Sequence, residues 1–373
     1  MPLSDILVSE EMTTVVGETI ASGWWSMGPR VAAFESEFAE FCGTRHALAV
    51  SNGTAALHLA LLAAGCGPGD EVIVPSLNFV AAANSIEHTG ATPVFCDITG
   101  EVDLNLDPED VAAAVGERTK AIVVVHYGGF PCDLAAISGI AERHGLVLIE
   151  DAAHAPGSRY GDRMCGAIGQ LGCFSFFSNK NLPVGEGGMV VTDSDELAER
   201  VRLLRSHGMT TLTWDRERGH AHSYDVVARG FNYRLDEVRG ALGLIQLRRV
   251  REENRQRARI ARRYREALDG VRGIVMPFGD LIGDEAFSHH LAVTLVPSDA
   301  DRNAIRSKLA SRRIQTSVHY PPIHHFSHYR DRAGGRPLPR TDEVAGRLLT
   351  LPLFAHLSEQ QVDEVVDSLL AEL

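Results

Sequence analysis

The chain is poor in the features that mark several large classes of protein. Its 373 residues hold six cysteines, Cys42, Cys66, Cys96, Cys132, Cys165 and Cys173, and no two form a CxxC pair. Several sit inside apolar runs such as PVFCDI and LGCFSF. That predicts reduced, mostly buried thiols of a cytoplasmic protein rather than a disulfide scaffold. Basic residues are also short. Lys and Arg number 36 against 49 Asp and Glu, a formal net charge of −13, where a non-specific nucleic-acid binder carries the opposite balance. No run is long and apolar enough to span a bilayer, since AVSNGTAALHLALLAAGCG is broken by Ser, Asn, His and Gly. The start, MPLSDILVSEEM, has acids where an export signal needs bases and then an apolar run. Neither membrane nor nucleic acid is expected as a partner. What remains is ordinary globular composition, 45% hydrophobic and 23% charged. The length suits two or three units, or one large domain with an appendage.

From about Arg45 to Val191 short apolar runs alternate with helical stretches. HALAV, EVIVP, TPVFCD, KAIVVVHY, LVLIED, GCFSFF and GGMVVT read as buried strands. Between them TAALHLALLAAG, VAAANSIEHTG, PEDVAAAVGE and DLAAISGIAERHG have helical spacing and mostly end at Gly. Such repetition predicts an α/β fold with a mostly parallel sheet flanked by helices. Beyond Val191 come a helix capped by Asp193 or Ser194, a polar loop TTLTWDRERGHAHSYD, and an Arg-rich helix from about Asp236 to Leu268. A strand HHLAVTLVP, a helix ADRNAIRSKLASR, a strand IQTSVHY, a His- and Pro-rich loop and two closing helices follow. The last opens with Ser358 and Gln361 in capping-box spacing. This predicts two units: residues 1–248, a large domain with its N-terminal segment, and 249–373, a small α+β domain.

Ligands of parallel sheets bind beyond the carboxyl ends of the strands, and four segments fall there. Ser51-Asn52-Gly53-Thr54-Ala55 starts a helix; its backbone amides and hydroxyl suit an anion, or it is a plain cap. Glu150-Asp151 ends the strand LVLIED, with His154 just beyond. Asp151 suits a cation such as a protonated pyridine nitrogen, or caps the loop. Lys180, in the run Ser175 to Asn181, follows the apolar strand GCFSFF and precedes Gly185-Glu186-Gly187-Gly188. A lysine desolvated there becomes a nucleophilic amine; the alternative is a surface lysine. Gly230 to Asp236, containing Asn232, opens the Arg-rich helix and offers polar groups to an anion, or is capped by Asp236. Together the parts fit pyridoxal phosphate, which needs a Schiff-base lysine, an acid at the ring nitrogen, a phosphate cup and a stacking group. Phe79 in PSLNFVAAAN suits the stacking role or core packing.

In this order, SNGTAALHLAL, GPGDEVIVPSLNFVAAANSI, GATPVFCDI, EDAAHAPGS, FSFFSNKNLPVGEGGMV and GFNYRLDEVRGALGLIQL resemble the DegT/DnrJ/EryC1/StrS aminotransferases of pyridoxal-phosphate fold type I. SGWWSMGPRVAAFESEFAEFCG looks like that family's N-terminal segment. The resemblance implies that Lys180 bonds the cofactor, that Asp151 pairs with its pyridinium, and that His154 and Phe79 lie against the ring. It implies that Thr54, Ser175 and the backbone of Gly53 and Ala55 hold the phosphate. Asn232 would reach the phosphate of a neighbouring subunit, so that a homodimer shares its sites. One branch of the family has His in place of the lysine and eliminates a hydroxyl; Lys180 argues against it.

The expected reaction is amination of a nucleotide-linked 4-keto-6-deoxy sugar at C4, with glutamate as donor. HYGG, His126 to Gly129, is nearer the HYAG-type segment of C4-aminating relatives than the HLYG type of C3-aminating ones. Amination at C3 or of a keto-cyclitol are the alternatives, and a non-catalytic protein that binds cofactor or sugar is the alternative class. Trp24, Trp25, His319 and Tyr320 are the expected substrate contacts. His319 to His325 and His328 sit in a Pro-bearing loop without a helical HxxxH face, so no metal is expected. Glu252, Glu253 and Glu266 interleave the arginines from Arg248 to Arg265, which reads as a solvated helix face.

Overall fold

The structure, a computed structural model, describes residues 1–211, 223–330 and 336–373. Most of the polar loop TTLTWDRERGHAHSYD lies outside the described residues. Strands β1 (His46–Val50), β2 (Glu71–Pro75), β3 (Thr92–Cys96), β4 (Thr119–Val125) and β5 (Val147–Asp151) are followed by a hairpin, β6 (Arg159–Tyr160) and β7 (Arg163–Met164). Then come β8 (Leu171–Ser175) and β9 (Gly188–Thr192). Seven of them form the sheet expected from the alternating runs, in the order β1-β9-β8-β5-β4-β2-β3. Neighbours from β8 to β3 run parallel; β9 is antiparallel to both β1 and β8. Because side chains alternate along a strand, Ile73, Ile122, Val124 and Leu148 pack on one face and Val72, Val74, Ala121, Val123 and Ile149 on the other. Burial on both faces is why the strands read as unbroken apolar runs.

Helices α3 (Gly53–Ala63), α4 (Ala81–Thr89) and α7 (Asp195–Leu204) cover one face, through Leu59, Ile86 and Val201 among others. Helices α5 (Pro108–Ala114) and α6 (Leu134–His144) cover the other. Ahead of them in the chain stand α1 (Glu10–Ala21) and α2 (Pro29–Cys42). Side-chain oxygens start the helices as the capping residues predict: Asn52 accepts from Ala55 N–H, Asp133 from Ala136 N–H and Ser194 from Leu197 N–H.

The Arg-rich segment forms α8 (Glu237–Leu268), capped by Asp236. Its first half, with Leu247 and Val250, packs with Phe34 and Phe38 of α2. Its second half, with Ile260, Tyr264 and Leu268, belongs to the core of the C-terminal unit. Residues 248 and 249 therefore lie inside one continuous helix. The C-terminal unit comprises β10 (Ala292–Leu295), α9 (Arg302–Ser311), α10 (Pro339–Ala345), β11 (Leu348–Leu351) and α11 (Glu359–Leu370). Ser358 and Gln361 form the capping box of α11. The hairpin β6–β7 was not expected from the sequence, and in the C-terminal unit two details differ from the sequence reading. IQTSVHY is no strand: Ser317 exchanges hydrogen bonds with Thr350 at 3.1 and 2.9 Å, but Gln315 N–H goes to Met1 C=O instead. LLTL is a strand, β11, antiparallel to β10, where only helices were expected. Met1 and Leu3 also bond to Gln315 and Leu353, so the first residues lie on the C-terminal unit.

Candidate active site

The carboxyl ends of β4, β5 and β8 share one edge with the end of β1 and the start of β9. Val125 pairs with Asp151, Asp151 with Cys173, Ser175 with Gly188, and Gly188 with Val50. A cavity of about 430 Å³ opens there. Its lining includes Gly53, Thr54, Phe79, Asp151, His154, Ser175, Lys180, His319 and Tyr320. Residues 53 to 320 thus converge as the parallel-sheet argument expects.

Lys180 sits in the turn after β8, where its N–H donates to Phe177 C=O at 2.9 Å. Burial pushes its ammonium down to about 8, with the Asp151 carboxylate pulling the other way. Lys180 is half-buried, whereas the chain's other two lysines, Lys120 and Lys308, are exposed. Burial raises the Asp151 carboxyl, while Ala153 N–H, donating to Oδ1 at 3.1 Å, and Lys180 hold it down. Its neighbour Glu150 is fully buried and does not line the cavity. There it accepts from the N–H groups of Gly166, Ile168 and Gly169 and from His126 at 2.9 Å. Burial works to raise Glu150, but the His126 hydrogen bond and these amides keep it below the ordinary carboxylate range.

The start of α3 and the end of β8 form a cradle whose free amides and hydroxyl suit an anion. The N–H groups of Gly53 and Thr54 precede the first intrahelical bond, Ala56 N–H to Asn52 C=O. Ser175 faces them so closely that a Cβ on Gly53 would lie 2.8 Å from Ser175 Cβ. Ala55 lies in the same turn, but its N–H already donates to Asn52 Oδ1 at 2.8 Å. Phe79 is 57% exposed, which removes the core-packing alternative; its ring centroid lies 5.9 Å from that of Tyr320. His154 accepts at Nδ1 from Gly128 N–H at 3.4 Å, and its Nε2 lies 2.9 Å from the Tyr320 hydroxyl. Burial holds this imidazole well below its ordinary pKa. Tyr127 of the HYGG segment is buried, and its hydroxyl donates to the His319 carbonyl, pinning that wall.

Four expected residues do not line the cavity of the single chain: Ala55, whose amide is taken by Asn52, and three others. Asn232 is exposed, on a segment held by Ser51 N–H to Tyr233 C=O at 2.8 Å. Trp24 is half-buried, and Trp25 is 58% exposed with its indole N–H on Ile20 C=O. Of the His-rich loop, His324 and His325 both meet Asp342 Oδ1, at 3.0 and 2.8 Å, also outside the cavity.

Other members of the site escaped the sequence reading. Asn78 Nδ2 and Asn179 Oδ1 are buried without a well-formed protein hydrogen bond, and both residues line the cavity. His290 Nε2 lies 3.5 Å from Lys180 Nζ. Asn78 adjoins Phe79 and could have been found with it; nothing local marks His290. A desolvated lysine, a buried carboxylate, an amide-lined cradle and an open aromatic ring are what pyridoxal phosphate requires, and Asn78 and Asn179 add polar atoms to the cavity lining. The fold and the site together define a pyridoxal-phosphate enzyme of fold type I.

Over residues 7–370 the chain matches the DegT/DnrJ/EryC1/StrS aminotransferase family, and it belongs to that family. It is 43% identical over 376 residues to the spore coat polysaccharide biosynthesis protein SpsC of Bacillus subtilis, across 99% of this chain and 96% of that protein. The crystal structure of the aminotransferase TlmJ from Streptoalloteichus hindustanus superposes with a TM-score of 0.91 at 36% identity, over 100% of this chain and 98% of that one. DesI, solved in the presence of its TDP-sugar product, gives a TM-score of 0.87 at 33% identity, over 98% and 91% of the two chains. The chain is thus a pyridoxal-phosphate-dependent sugar aminotransferase, which removes the non-catalytic alternative. Among the described residues no helix is long and apolar enough to cross a membrane.

Proposed function

We propose that the enzyme aminates C4 of a nucleotide-linked 4-keto-6-deoxyhexose, with glutamate as donor, in the cytoplasm and as a homodimer with shared sites. The observation that carries the reading is the meeting of Lys180 and Asp151 in one cavity whose wall is the His319–Tyr320 segment, pinned by Tyr127. DesI's TDP-sugar product supports a nucleotide-linked substrate, and the HYGG segment supports C4. The six buried free cysteines suit a reducing compartment. The division at 248/249 would then make α8 a shared strut between two units.

Bound pyridoxal phosphate supplies an electron sink for the pair left when a proton departs from the amino-bearing carbon. Lys180 covalently anchors it and, when free, carries that proton at Nζ. A pKa near 8 suits the task, since both protonation states are then accessible near neutrality. Asp151 keeps its charge against burial by pairing with the pyridinium N–H. Gly53, Thr54 and Ser175 hold the phosphate, and Phe79 and His154 enclose the ring. Asn232 completes the phosphate site from the partner subunit. Tyr320, His319, Trp24 and Trp25 orient the sugar. The ketone carbon must approach the amine to about 3–3.5 Å, so small contacts decide which carbon is presented.

The test is to supply 4-keto and 3-keto nucleotide sugars separately with glutamate and to compare kcat/KM. We expect at least tenfold preference for the 4-keto isomer. Equal or reversed preference, or turnover only with a keto-cyclitol, overturns the C4 assignment and leaves the cofactor chemistry in place.

A further inference from the structure

A chain of buried amides behind Lys180 determines which nitrogen of His290 carries a proton. Pro156 C=O can only accept, and Asn254 Nδ2 donates to it at 2.8 Å. That leaves Asn254 Oδ1 to accept from Asn181 Nδ2 at 2.8 Å. The same Nδ2 donates to Ser288 C=O at 2.7 Å, so both its hydrogens are used. Flipping either amide would set oxygen against a carbonyl oxygen. Asn181 Oδ1 is therefore an acceptor, and it lies 3.0 Å from His290 Nδ1, which must carry the hydrogen. In the neutral ring Nε2 is then a lone pair, and it points at Lys180 Nζ 3.5 Å away. Asn181, Asn254, Ser288 and His290 are all buried.

We propose that His290 is the positioning residue of Lys180: locked in the Nδ1–H form by Asn181 and Asn254, it presents Nε2 to Nζ and holds the amine in place as its proton comes and goes. The proposal rests on the reading of Lys180 as the cofactor lysine. It differs from mere packing because an imidazole free to present N–H to an ammonium would repel it. The other charged or titratable groups facing this pair are Asp151, His154, His319, Tyr320 and Arg257. Burial, with His154, Lys180, Arg257 and His319 nearby, keeps His290 well below its ordinary pKa, so it stays an acceptor.

The measurement exploits the scarcity of lysine. Cofactor-free full-length protein is acetylated with acetic anhydride across a pH series, and Lys120, Lys180 and Lys308 are followed by mass spectrometry, with exposed Lys120 as reference. An acceptor stabilises the ammonium, so removing it lowers the midpoint of Lys180 labelling. His290→Leu should lower it by roughly half to one pH unit. His290→Gln, whose amide oxygen reaches the place of Nε2, should stay near wild type. Asn181→Leu, which unlocks the ring, should move it in the same direction as His290→Leu. The pH profile of the holoenzyme's single turnover with glutamate should shift in parallel, and ¹⁵N-histidine NMR should report His290 protonated at Nδ1. An unmoved Lys180 midpoint in His290→Leu overturns the proposal, as does a glutamine variant that shifts as far as the leucine one, or an Nε2-protonated ring. Should leucine at 290 not fold, an unmoved midpoint in Asn181→Leu overturns it equally. Lys180→Ala run alongside separates the two levels. If it keeps the visible cofactor band, the reading beneath fails and takes this proposal with it. If it loses the band while the midpoints stand still, only the His290 proposal fails.

Discussion

Asp151 shows at the residue scale how an apparent liability becomes useful. Burial raises its carboxyl and so disfavours its charge, but a pyridinium N–H placed against it, as proposed, would reverse that balance. Asp151→Asn should leave the fold intact, because Ala153 N–H can still donate to the amide oxygen. Single turnover with glutamate should slow by about a thousandfold or more, each factor of ten being about 1.4 kcal/mol of barrier. A loss below tenfold with cofactor bound would mean that Asp151 is not the ring partner. The buried histidines make a different prediction. Burial lowers His58, His289 and His319 to about 4, and it holds His154 and His290 well below the ordinary value. Below about 6.5 the unfolded chain binds protons that the folded chain refuses, so stability falls with pH from there. Melting temperature should therefore drop between pH 7 and 5, before the carboxylates titrate. A flat profile over that range would contradict neutral burial.

Elements of secondary structure were legible where their physics is local. The seven strands of the sheet are apolar runs bounded by turn residues, and Asn52, Asp133, Ser194, Asp236 and Ser358 cap where their side chains predict. The position of Asp151 at the end of β5 and of Lys180 in the turn past β8 was legible for the same reason: both fall at the carboxyl edge of the sheet, where its ligands bind. Partners distant in the chain were not. LLTL has too few residues to show a period, and only its ladder with β10 makes it a strand. Glu237, which the sequence did not single out, is buried and accepts from the N–H groups of Gly28, Arg30 and Val31 at the start of α2. His290 and Asn254 become a site only when β10's approach and α8 are packed together. The contact of α3 with β8 yields the element-scale prediction. In Gly53→Ala the new Cβ meets Ser175 Cβ at 2.8 Å and Oγ at 3.1 Å, so the two halves of the anion cradle must part. Overpacking of this kind costs about 1–3 kcal/mol, and cofactor affinity should fall roughly ten- to hundredfold in equilibrium dialysis. Gly17→Ala in α1, whose Cβ meets nothing within 4 Å, is the control and should hold cofactor like wild type. Equal affinity in the two variants would detach Gly53 from the phosphate.

For the whole molecule, the site is incomplete within one chain if Asn232 has the role proposed for it. Asn232 lies outside its own cavity and is exposed, on a segment fastened to the end of β1 by Ser51 N–H to Tyr233 C=O and by the bridge between Val50 and Arg234, and to the residues after α7 by the bridge between Ser206 and Asn232. Phe79 and Phe177, which line the cavity, and Val226 and Val227, a few residues before Asn232, are large apolar side chains left exposed. Surface of that kind favours a partner, and a twofold dimer would carry each Asn232 to the other's cradle by the same operation. The consequence can be measured by mixing two impaired variants, Lys180→Ala and Asn232→Ala, in equal amounts. With free subunit exchange about half the dimers are mixed, and each has one site with both native groups and one with neither. About a quarter of all sites should therefore regain wild-type turnover, on a time course that follows exchange. A mixture no more active than the Asn232→Ala variant at its diluted concentration, with exchange confirmed by native mass spectrometry, would place the work of Asn232 inside its own subunit.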